Sequence, residues 1–214
     1  IRVVSYMSKE TLFMPQSLEH ELTLGGLLQW LVQDGMVLPG EAERLVRNHK
    51  ADRSHPLEVI AGQKWRSALP PGKLMTMEFL TEWLAARIGM PYLHIDPLQL
   101  NFGGIANIVS KSYAERLKIM PVKVGEREVT IATAEPFLTG WVADLERILN
   151  LKIRLVLASP LDINHYLPEI YSLAQSVQLA SKARAGQPIG AQNFEQLVEL
   201  GKSKNLDANE QHVV

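Results

Sequence analysis

The chain has 214 residues, 46% of them apolar, and its 22 basic and 23 acidic side chains leave a formal net charge of −1. That balance gives no electrostatic case for nucleic acid or an anionic membrane surface, and no direct membrane insertion is expected, since no apolar run approaches the about 18 residues that a membrane-spanning helix needs. Cysteine is absent, which removes disulfides and thiolate metal sites and suits a cytoplasmic setting.

Residues 1–21 carry little periodicity and no signal-peptide pattern, and read as a loose lead-in. From Leu22 to Gln33, Leu24, Leu27, Leu28, Leu31 and Val32 form one apolar stripe, so a helix is expected there. Trp30 falls at the margin of that stripe. Asp34-Gly35 ends the helix, since glycine is favoured where the chain turns left-handed. Pro39 opens a second helix through Ala42, Leu45 and Val46, and His49–His55 reads as a polar loop. Pro56–Trp65 suggests a short helix, and Pro70-Pro71-Gly72 marks a break. Thr76 is placed to cap a helix carrying Phe79, Leu80, Trp83, Leu84 and Ile88, which Gly89 and Pro91 stop. Tyr92–Ile95 is a short extended run.

The pattern then changes. Ile105, Val109, Tyr113 and Leu117 recur every four residues and predict one helix leading into a strand. Ile119–Val129, continuing into Thr130–Phe137, reads as two short β-branched strands joined by a turn at Gly125-Glu126, the second stopped by Glu135-Pro136. Thr139–Leu149 has helical spacing, Ile153–Ala158 is a third strand, and Ser159-Pro160 opens a helix to Leu173. Ala174–Gln192 is rich in Ala, Ser, Gln and Gly, as in a linker, with a short amphipathic helix near Phe194, Leu197 and Val198. The fold class expected is α+β. A helical lobe (22–95) precedes a small two-layer α/β lobe (96–173) with a three-stranded sheet flanked by helices, and a linker (174–214) follows. The chain begins and stops in mid-pattern, as a fragment of a longer protein does.

No catalytic constellation emerges. Gly201-Lys202-Ser203 has the end of a phosphate loop, but Gln196 stands where the first glycine is required and a helical pattern precedes it. His20, His49, His55, His94, His165 and His212 form no pair at metal-ligand spacing. Glu41 and Glu43, Asp144 and Glu146, and Glu195 and Glu199 read as helix-surface carboxylates.

Four phrases in order, Ile88–Asp96 (IGMPYLHID), Tyr113–Pro121 (YAERLKIMP), Val129–Pro136 (VTIATAEP) and Ile170-Tyr171, resemble the N-terminal, MshEN-like region of the type II secretion and type IV pilus assembly ATPases. The resemblance runs from about Leu24 to Leu173, and Asp207–Val214 is similar to the lead-in to that family's ATPase core. It implies a helix-flanked three-stranded sheet and a non-enzymatic module recruiting the motor to an inner-membrane platform protein. ATP, Mg and hexamer formation would belong to the missing core. On this reading Trp30 is the docking candidate, and its loss should weaken platform binding while sparing the unfolding midpoint.

One branch of the family binds cyclic-di-GMP through two copies of a motif, which gives a runner-up reading as a cyclic-di-GMP receptor. Leu31-Val32, Gly35, Val37 and Leu45-Val46 fit the first copy, with His49 in place of its glutamine and Gly26-Leu27-Leu28 in place of Arg-Leu-Gly. The second copy, from Leu57 to Arg87, keeps Met75, Leu80 and Leu84. It has Glu58 for a glycine and Arg87 for the glutamine. The missing polar half matters, because an arginine fork pairs with phosphate or guanine edges and glycine lets backbone approach a ligand.

Overall fold

The computed structural model describes residues 19–49, 54–100 and 102–184. Gly201-Lys202-Ser203, the helix expected near Phe194 and residues 1–18 of the expected lead-in lie outside the described residues. The fold is α+β.

Helix α1 (Leu24–Gln33) starts at Thr23, whose hydroxyl accepts from the Gly26 N–H, and buries Leu27, Leu28 and Leu31. Gly35 (φ 70°) turns the chain into α2 (Pro39–Asn48), which has proline in its first turn. In α3 (Pro56–Gly62) the N-cap is His55. It is shorter than the run to Trp65 suggested, because the chain leaves it through Lys64 in the left-handed region. Thr76 caps α4 (Met77–Ile88) through the Phe79 N–H, and Gly89 (φ 70°) closes it, both as expected. These four helices enclose one core that includes Leu27, Leu31, Leu57, Ile60, Leu80 and Leu84.

The single helix expected over Ile105–Leu117 is two: α5 (Phe102–Ile105) and α6 (Lys111–Leu117). Ser110 starts the second by accepting from the Tyr113 N–H, so spacing by four carried across a break. Strands β1 (Ile119–Val124) and β2 (Glu128–Thr133) pair antiparallel, with a bulge between Pro121 and Lys123. β3 (Lys152–Leu157) pairs parallel to β2, with α7 (Gly140–Leu149) in the crossover. The sheet order is β1-β2-β3. A second core gathers Ile105, Ile119, Met120, Ile131, Leu145 and Val156. The last helix, α8 (Pro160–Arg184), runs well past Leu173. Residues 174–184, expected as linker, are helical because Ala, Leu, Gln, Lys and Arg are good helix formers even without an apolar stripe.

Contacts divide the chain into a unit ending at Tyr171 and a second beginning at Ser172. The first holds both cores. In the second, Ser176 donates to the Ser172 carbonyl at 3.0 Å. Among the described residues no helix is long and apolar enough to cross a membrane.

Candidate functional site

Of the residues singled out above, Trp30 and Arg87 come together where the ends of α1 and α4 meet. The Arg87 guanidinium lies over the Trp30 ring, 5.2 Å from its centroid. Its Nη1 bonds Asp34 Oδ1 and its Nη2 donates to Gln33 Oε1 at 2.8 Å. The other Asp34 oxygen accepts from Trp83 Nε1 at 2.8 Å. Asp34 is the C-cap of α1, so the turn at Gly35 is what aims its carboxylate at α4. Trp30 is half-buried and meets Phe137 edge to face, the ring centres 6.2 Å apart, and Phe137 in turn stacks on His20 at 4.8 Å. Arg87, Trp30, Phe137 and His20 thus form a line of four planar groups, with Trp30 and Phe137 packed against the helical core.

The remaining candidates scatter. Leu31 and Leu57 are fully buried and present no side chain to a ligand. Gly35 turns beside Leu69, and His49 caps the C-terminus of α2. Val32 lines an apolar groove of about 540 Å³ between α1 and α2, with Leu28, Ala42 and Val46. The arrangement can offer apolar area and a stacked aromatic, but it does not converge polar groups on one point.

Sequence reasoning missed a second cluster, at the junction of the two cores. Glu135 stands two residues past the end of β2 and is buried, as is His55. Glu135 Oε2 accepts from the Leu22 N–H at 2.9 Å, while Oε1 lies 3.4 Å from His55 Nε2 and 3.7 Å from Lys118 Nζ. His55 Nδ1 accepts from the Leu57 N–H at 3.2 Å, which assigns the ring proton to Nε2. That N–H faces the Ala134 carbonyl at 3.2 Å as well as Glu135. Burial lowers the His55 pKa to about 4, helped by nearby Lys118 and opposed by the Ala134 bond. Burial also pushes the Glu135 carboxyl above its ordinary value, against the Leu22 N–H and Lys118. The signals were present in the sequence. A lone glutamate sits in the apolar run TIATAEP, and a histidine directly precedes a helix-opening proline.

Residues 88–177 match the MshEN domain family. The type IV pilus assembly ATPase TfpB of Acinetobacter baylyi is 34% identical over 193 residues, covering 87% of this chain and 32% of TfpB. The chain therefore spans about a third of the length of that relative. Among solved structures, MshE with cdg is similar at a TM-score of 0.49 and 16% identity, covering 70% of this chain and 99% of that one. The N-terminal domain of XpsE is similar at 0.44 and 14%, covering 70% and 96%. The MshEN match and TfpB bear out the resemblance drawn from Ile88–Asp96 and Val129–Pro136. Trp30, Leu31, Val32, Gly35, His49, Leu57 and Arg87 all precede the matched segment.

Proposed function

We propose that this relative of the type IV pilus assembly ATPases is the motor's N-terminal adaptor, docking it to an inner-membrane platform protein at the cytoplasmic face. The observation that carries this reading is the reach of the match to TfpB. At 193 residues it extends through both cores, well beyond the 88–177 segment. On this reading ATP, Mg and hexamer formation belong to the rest of the motor, and the chain contributes recruitment rather than turnover.

Trp30 supports the docking role chemically. A half-buried tryptophan whose ring is already held by Arg87 and Phe137 loses little freedom on meeting a partner. The test is binding of the purified chain to the soluble cytoplasmic part of the platform protein, measured by interferometry. Trp30→Ala should weaken it about 30-fold, equivalent to about 2 kcal/mol. The unfolding midpoint should fall only slightly, by the lost cation–π and edge contacts. Wild-type protein that fails to bind the platform overturns the adaptor reading. Unchanged affinity in Trp30→Ala moves the docking face elsewhere.

A further inference from the structure

Residues Glu19–Leu22 lead into Thr23, the N-cap of α1, with Leu22 packed in the helical core, and they are fastened at three points to the run that follows β2. Leu22 is buried and its N–H donates to Glu135 Oε2 at 2.9 Å. The His20 ring stacks on Phe137 at 4.8 Å with the planes 13° apart. The Glu19 carboxylate lies against Gly140, the first residue of α7. A Cβ there would overlap one oxygen and come within 2.9 Å of the carboxyl carbon. All three anchors, Glu135, Phe137 and Gly140, belong to the one short run after β2.

The fastening is graded. The Leu22 bond is buried, whereas Glu19 and His20 are exposed. Thr139, the N-cap of α7, makes no side-chain cap, and the acidic Glu19 stands near the positive end of that helix. Segments held by exposed contacts open locally, at free energies well below that of global unfolding. His20 also occupies one face of Phe137, the ring whose neighbour is Trp30.

We propose that Glu19–Leu22 is a detachable strap whose release adds the uncovered face of Phe137 to the docking surface around Trp30. The strap itself stands on the geometry alone, and its regulatory consequence rests on the adaptor reading. Gly140→Ala and Glu19→Ala are suitable probes, because the first only displaces the end of a flexible side chain and the second removes an exposed carboxylate.

Amide hydrogen exchange of the intact chain, read residue by residue by NMR, tests the strap. In the wild type the Leu22 amide should exchange at least about tenfold faster than the Leu31 and Leu84 amides. Both variants should accelerate it about tenfold more without changing the other two. Both should also bind the soluble platform fragment several-fold more tightly, and adding Phe137→Ala should remove that gain. A wild-type Leu22 amide that exchanges in step with Leu31 and Leu84 refutes detachment. Faster Leu22 exchange with unchanged platform affinity refutes the regulatory role. If no version binds the platform, the regulatory role falls with the adaptor reading, and the exchange rates still decide whether the strap opens.

Discussion

Glu135→Gln tests whether the buried junction is organised by acceptors. The carboxylate offers two acceptor oxygens, one facing the Leu22 N–H and one facing the His55 Nε2–H. A glutamine side chain has one acceptor and one donor end. In either orientation its NH2 meets an N–H, and His55 cannot change tautomer to help, because its Nδ1 already accepts from Leu57. With the oxygen kept on Leu22, the His55 N–H still has the Ala134 carbonyl, so the buried donor without an acceptor is the glutamine NH2 itself, at a cost of about 1–3 kcal/mol. Lys118 is partly exposed, so the loss of its attraction adds less than about 1 kcal/mol. Burial works in the opposite direction, since it raises the Glu135 pKa and a neutral side chain escapes that penalty. The Leu22 N–H and Lys118 already offset part of the penalty, so the unsatisfied donor should win, with a net loss of about 1–3 kcal/mol. For a unit of this size that lowers the midpoint by about 3–10 °C. Calorimetry at pH 7 is the assay. A variant as stable as the wild type, or more so, would show that the desolvation of Glu135 exceeds everything its acceptors provide.

Two further outcomes are expected. His55, lowered from 6.5 to about 4, contributes stability that is complete above about pH 6.5 and is lost as pH falls towards 4, because the unfolded chain takes up the proton first. Glu135, raised, contributes in the opposite sense: its share is present below its unfolded value and is lost as pH rises through the folded one. Comparison with His55→Asn, which can still cap α3, isolates the first effect. The stability advantage of the wild type should shrink by about 3 kcal/mol between pH 6.5 and 4, and parallel denaturation curves would contradict it. Cyclic-di-GMP titrated calorimetrically should bind more weakly than about 1 μM, because Arg87 is already engaged by Asp34, Gln33 and Trp30. Tighter binding that disappears in Arg87→Ala would restore the receptor reading.

Much of the fold was legible because local chemistry and packing agree. Thr76 and Gly89 bracket α4 as capping rules require, and the β-branched runs on either side of Gly125 pair as a hairpin. Where a single signal was trusted, it misled. Ile105 and Val109 share the spacing of Tyr113 and Leu117, yet Ile105 ends α5 and Val109 is buried within the break that precedes Ser110. The end of α8 has no apolar periodicity, so only composition could have extended it. The Glu135–His55 junction joins residues 80 positions apart, and sequence marks each partner as unusual without saying that they meet. The Trp30–Arg87 contact was hidden for the same reason. Each residue was noticed, but only the turn at Gly35 and the Asp34 carboxylate bring α1 and α4 into register.

Leu157, the last residue of β3, has a dual allegiance. Its neighbours Val156 and Ala158 pack in the sheet's core, while Leu157 itself packs among the helices α1–α4. Its N–H donates to the Pro91 carbonyl and its carbonyl accepts from the Leu93 N–H, both at 2.8 Å. The start of the family match at residue 88 is therefore a boundary of sequence likeness and not of folding. Expressed alone, 88–177 would carry a bare leucine at the end of its central layer, with the apolar company that normally covers it left behind. Such a piece should self-associate at concentrations where the longer chain stays dispersed. Anyone dissecting the protein would do better to cut ahead of Glu19, which keeps both claimants to Leu157 on the same polypeptide.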